Sequence, residues 1–92
     1  MADKRAHNGL RRRAARSREE LIEAFDSLSP REQQVLDLLL RGFLNKEIAH
    51  HLELSPRTIE DYRASLKRKM GARTSAELVT LVTAVRHHKS GN

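Results

Sequence analysis

The sequence has no cysteine and no tryptophan, one tyrosine, two phenylalanines and two prolines. Without cysteine there is neither a disulfide framework nor a thiolate metal site, a usage that suits a reducing cytoplasm. Aromatic residues are only 3% of the chain, so any core is aliphatic and modest. Long apolar runs are missing too. The longest is Leu38-Leu39-Leu40, far too short for a transmembrane helix or the apolar stretch of a secretion signal, and no membrane partner is expected. No Gly-rich phosphate loop, nucleophile elbow or catalytic carboxylate pair appears, so neither an enzyme nor a cofactor is expected. His50-His51 and His87-His88 are adjacent pairs, and Glu47 precedes His51 by one helical turn. Two ligands at that spacing do not make a metal site.

What the chain has is charge. Its 92 residues, enough for one small domain with tails, carry 18 Lys+Arg against 12 Asp+Glu, a net of +6. The excess is segregated. Residues 1–18 hold seven basic residues and one acid, residues 19–56 three basic and eight acidic, and residues 57–73 six basic and two acidic. A basic arm and a basic segment thus flank an acidic middle, which points to a polyanionic partner. So small a core gives marginal stability, and packing against a second copy would add to it.

Residues 1–16 are Arg-rich with few large apolar residues, and are expected to form a flexible tail. After them, capping chemistry marks five helices. Ser17 with Glu20 forms a capping box and predicts a helix over 18–27 carrying Leu21, Ile22, Phe25 and Leu28. Ser29-Pro30-Arg31-Glu32 opens a second, ended by Gly42, with Val35, Leu36, Leu38, Leu39 and Leu40 on its buried side. Asn45 is expected to cap a short third helix, 46–52, whose Ile48, Ala49 and Leu52 face inward. Ser55-Pro56 starts a fourth over 56–70, anchored by Ile59, Tyr62, Leu66 and Met70 and stopped by Gly71. Thr74 with Glu77 opens a fifth over 75–86, and 87–92 is expected to fray. No strand-length stretch alternates apolar and polar residues between turns, so the fold class is all-α.

A short helix, a link of three residues and a longer capped helix form the helix-turn-helix pattern. In it, Leu54 wedges the two helices apart. The face of the fourth helix opposite its anchors carries Thr58, Glu60, Asp61, Ala64, Ser65, Lys67 and Arg68, with Arg57 and Arg63 near the edges. Its N-terminal half is placed to meet base edges in a major groove about 12 Å wide. Its basic C-terminal half and Arg73 are placed to hold phosphates.

These residues also resemble a known family. Leu28-Ser29-Pro30-Arg31-Glu32-Gln33-Gln34-Val35-Leu36, Gly42, Asn45-Lys46-Glu47-Ile48-Ala49, Leu54-Ser55-Pro56-Arg57-Thr58-Ile59-Glu60 and Lys69-Met70-Gly71-Ala72-Arg73-Thr74-Ser75-Ala76-Glu77-Leu78-Val79 look like LuxR-type helix-turn-helix domains, most of all those of FixJ-type response regulators. The likeness spans about residues 28–85. It implies a four-helix DNA-binding domain over 28–86, here preceded by a linker helix, 17–27, and the basic tail. It implies recognition by the fourth helix, with Asn45, Lys46, Arg57, Thr58, Glu60, Asp61, Arg63, Ala64, Lys67, Arg68 and Arg73 as DNA-contact candidates. It further implies a homodimer through the last helix, where Ala76, Val79, Thr80 and Thr83 are left over from the core.

Three departures bear on function. Many members carry Lys at position 60 and His at 62, where this chain has Glu60 and Tyr62. Glu60 can accept from cytosine N4, yet with Asp61 it sets two negative charges near phosphates. Glu53 stands where glycine is common, so a left-handed backbone there is slightly strained. Finally, residues 1–27 are too few for the receiver or ligand-binding domain that typical relatives carry. Two functions follow: a stand-alone, cytoplasmic, dimeric transcription regulator binding double-stranded DNA, or a module that pairs with a sigma factor, RNA polymerase or full-length regulator with little DNA binding of its own.

Overall fold

Four of the five helix starts among the described residues are set by a short polar side chain, Ser17, Ser29, Ser55 or Thr74, that accepts from a free amide of the first turn. The computed structural model describes residues 17–90, so the expected tail over 1–16 and residues 91–92 lie outside the described residues. Helix α1 spans Arg18–Asp26, where Ser17 Oγ accepts from the Glu20 N–H and the Glu20 carboxylate accepts from the Ser17 N–H. Helix α2, Pro30–Leu40, repeats that box with Ser29 and Glu32. Helix α3 is Asn45–Leu52, α4 is Pro56–Met70 under a Ser55 cap, and α5 is Ser75–Ser90. Among the described residues there is no strand, as the all-α reading requires.

Three helices end in the same way. After α2, α3 and α4 one residue turns left-handed: Gly42 (φ 89°), Glu53 (φ 57°) and Gly71 (φ 73°). The next amide then reaches back to the carbonyl five residues earlier: Phe43 to Leu38 at 3.0 Å, Leu54 to Ala49 at 2.8 Å, Ala72 to Lys67 at 2.8 Å. This closure satisfies the terminal carbonyls and turns the chain sharply. Nothing lies within 4 Å of where a Gly42 side chain would sit, so glycine is required there for conformation and not for space.

Two expected boundaries differ. Asn45 is the first residue of α3 and not its cap. Leu44 holds the cap position without an acceptor to offer, and the Glu47 carboxylate takes the Leu44 N–H at 2.7 Å. Helix α5 continues four residues past the expected end. The added turn is fastened from outside by Lys89, whose Nζ meets Asp26 Oδ1 at 2.8 Å and lies 5.9 Å from the Phe25 ring centre; just before it, Arg86 pairs with Asp37.

The core is aliphatic, as the scarcity of aromatics requires. It joins Val35, Leu36 and Leu38 of α2, Ile48 and Ala49 of α3, Ile59, Leu66 and Met70 of α4, and Leu78, Val82 and Val85 of α5, with Phe25 and Leu28 closing one side. Leu39 and Leu40, expected inside, are half-buried. Helix α4 packs against each of the other helices and so sits at the centre of the fold.

Candidate nucleic-acid interface

The link between α3 and α4 is Glu53-Leu54-Ser55. Glu53 is left-handed (φ 57°, ψ 45°), a conformation that costs a side-chain-bearing residue about 1 kcal/mol relative to glycine. Leu54 packs against the core from inside the bend. The angle between the helices is thereby held by one strained residue and one apolar wedge.

Helix α4 then presents a ridge. Ile59, Leu66 and Met70 are buried, while Arg57, Asp61, Ala64 and Arg68 are exposed. The exposed four recur at i, i+4, i+7 and i+11, one line along the side of the helix opposite the core. Arg57 and Arg68 stand about 16 Å apart along the axis at 1.5 Å per residue. Asp61 and the small Ala64 lie between them, with exposed Glu60 and half-buried Lys67 alongside. Cationic ends with a small, hydrogen-bonding middle suit a helix laid across a groove between two phosphate strands.

Two polar braces hold α4 to its neighbours. Glu32, only 4% exposed, accepts from the Ser29 N–H at 2.8 Å and from Lys69 Nζ at 2.9 Å, while its other oxygen accepts from the Ser65 hydroxyl at 2.8 Å. Burial pushes the Glu32 carboxyl up, but the Ser29 amide, the Lys69 and Ser65 bonds and the Lys69 charge outweigh it, and its pKa falls from 4.5 to about 2. Ser65, expected on the outward face, is therefore turned inward. On α4's other flank, the half-buried Arg63 guanidinium donates to Asn45 Oδ1 and to Ser75 Oγ. Glu32 and Ser75 escaped sequence reasoning as α4 contacts. Glu32 was already accounted for by its capping box, and no local spacing announces the partner of Ser75.

The remaining candidates divide simply. Lys46 and Arg73 are exposed, and Thr58 is half-buried with its hydroxyl 2.9 Å from that of Ser55. On α5, Ala76, Thr80 and Thr83 are exposed and Val79 is half-buried, while Leu78, Val82 and Val85 face the core. Leu44, at the start of α3, is 68% exposed and is the exposed large apolar side chain among the described residues. Among those residues no three His, Cys, Asp or Glu gather as a metal would need, and no helix is long and apolar enough to cross a membrane.

The model of the luxR family of bacterial regulatory proteins matches residues 26–82, well over half of the chain. The chain belongs to that family. The matched segment runs from the end of α1 to the middle of α5, so it contains the α3–α4 unit, and a luxR-family domain is a helix-turn-helix domain of DNA-binding regulators. Over 55 residues the chain is 54% identical to the transcriptional regulatory protein FixJ of Bradyrhizobium diazoefficiens, covering 60% of this chain and 27% of that protein. It is 47% identical over 60 residues to the response regulator protein TodT of Pseudomonas putida, 65% of this chain and 26% of that one. It is 39% identical over 66 residues to the tetrathionate response regulatory protein TtrR of Salmonella typhimurium, 72% of this chain and 32% of that one. The chain thus spans about three-tenths of the length of the curated relatives it matches. No solved structure matches it at a comparable level.

Proposed function

We propose that this luxR-family domain is a dimeric, sequence-specific transcription regulator that lays α4 in the major groove of double-stranded DNA. The observation that carries the reading is the exposed ridge Arg57-Asp61-Ala64-Arg68, set opposite the core and held by a brace on each flank. On this reading Glu60, Asp61 and Ala64 face base edges, and Arg57, Lys67, Arg68 and Arg73 take phosphates. Thr58 lies at the groove edge. Lys46 and the first turn of α3, whose cap position holds Leu44, approach the neighbouring phosphates with free backbone amides. The function sets the protein in the cytoplasm.

The α5 face of Ala76, Val79, Thr80 and Thr83 supports a two-fold contact, because small side chains let two helices approach closely. A dimer so made reads an inverted repeat. The domain itself is 28–86, with α1 as a linker helix packed on it. The basic segment 1–16 adds counterion release. It carries six Lys+Arg and one Asp, whereas residues 17–92 carry 12 Lys+Arg against 11 Asp+Glu.

One observation favours a second reading. Glu60 and Asp61 are both exposed at the very part of α4 that would meet DNA. A module that binds a sigma factor, polymerase or another regulator would tolerate them better. Selection from random duplex DNA at low salt decides the matter: an enriched inverted repeat supports the regulator, and no enrichment at high protein concentration supports the interaction module.

A further inference from the structure

Arg63 sits in the middle of α4, and its guanidinium joins three helices. It donates to the side chain of Asn45, the first residue of α3, and to that of Ser75, the first residue of α5. A planar fork with fixed N–H directions suits two separate acceptors, as a compact ammonium does not. The two braces on α4 lie on opposite flanks. At about 100° per residue, Ser65 and Lys69 fall on one side of the exposed ridge and Arg63 on the other. The buried residues Ile59, Leu66 and Met70 fix how deep α4 sits. The flanking bonds fix how it is rolled about its own axis.

We propose that Arg63 is a positioning residue for DNA reading: it sets the roll of α4, and so the aim of the Arg57–Arg68 ridge, without itself touching base or phosphate. Through Ser75 it also ties the aim of α4 to α5, the helix assigned to subunit contact. The inference rests on α4 being the recognition helix.

The test uses the full chain and the duplex selected by the wild-type protein. Arg63→Met and Arg63→Lys should each weaken binding about 10-fold, the effect of losing charge-assisted hydrogen bonds. Ser75→Ala, which removes one of the two anchors, should weaken it between about 3- and 10-fold. The Arg63→Met/Ser75→Ala double variant should be no weaker than Arg63→Met alone, and the salt dependence should keep the wild-type slope. A phosphate contact behaves otherwise. Lysine then retains most of the affinity, Ser75→Ala is silent, and Arg63→Met lowers the slope by about 0.9. That pattern overturns the proposal. A wild-type chain that enriches no duplex overturns the DNA reading instead. The brace is then judged by urea unfolding, where a double-mutant cycle of Arg63→Met and Ser75→Ala should show coupling, and strict additivity refutes it.

Discussion

Replacing Glu32 with glutamine removes a charge from the place where α2 grips α4, and leaves the side-chain shape nearly unchanged. A carboxyl whose pKa falls from 4.5 unfolded to about 2 folded favours the native state by about 3 kcal/mol once it is ionised in both. The sign follows from the direction. The contribution is fully present above pH 4.5 and is lost as pH falls toward 2. Glutamine can still accept from the Ser29 N–H, and Lys69 is 39% exposed, so its half of the ion pair is screened. The expected loss at pH 7 is therefore about 2 kcal/mol, roughly 10 °C in Tm for a domain of this size. Urea unfolding followed by helical circular dichroism, at pH 7, 5 and 2.5, measures it for both proteins. The wild type should be the more stable at pH 7 and at pH 5, and the gap should narrow strongly at pH 2.5, where the carboxyl is protonated in the unfolded chain and folding must ionise it. Equal stability at pH 7, or a gap that ignores pH, would refute the account of Glu32 as an ionised brace.

Glu53→Gly should raise stability by about 0.5 kcal/mol at most, because relief of about 1 kcal/mol of left-handed strain slightly exceeds the added flexibility of the unfolded chain; a lower Tm would mean that Glu53 has a stabilising contact the strain argument omits. Deleting residues 1–16 should weaken DNA binding and flatten its salt dependence by up to about 0.9 in slope per phosphate released. An unchanged slope in fluorescence titrations would make the basic segment a bystander. Val79→Glu and Thr83→Glu should each yield monomers in sedimentation while leaving the helical spectrum intact. A dimer that survives both places the subunit contact away from this face of α5.

Where helices start and stop was readable along the chain because caps act over three or four residues. Ser17-Glu20, Ser29-Glu32 and Ser55-Pro56 each join neighbours in sequence, and each marks a helix start in the structure. The left-handed turn at Glu53 was expected only from the family resemblance, which has glycine common at that position, and the structure has it at φ 57°. Asn45 misled because a residue suited to capping lay one position past the true cap, and its side chain is engaged by Arg63, 18 residues on. The last turn of α5 misled because its support is distant: Lys89 and Asp26 are 63 residues apart. No local pattern carries such a pairing.

The candidate interface divides along the same line. Periodicity alone separates Ile59, Leu66 and Met70 from Arg57, Asp61, Ala64 and Arg68, since the pitch of a helix decides which residues share a side. Periodicity does not say which polar residues of α4 are free. Arg63 and Ser65 have the chemistry of contact residues, and both half-buried side chains are hydrogen-bonded to other helices, Arg63 to Asn45 and Ser75 and Ser65 to Glu32. By itself the sequence determined most helix starts, the bend and the broadly polar side of α4, because backbone capping and helical pitch are local physics; that Arg57 stands on the outward line and Ser65 turns off it came from the structure. Only the tertiary structure decided which side chains of α4 are tied to the neighbouring helices, because a hydrogen bond between residues 12 to 37 apart exists only after the core has brought them together.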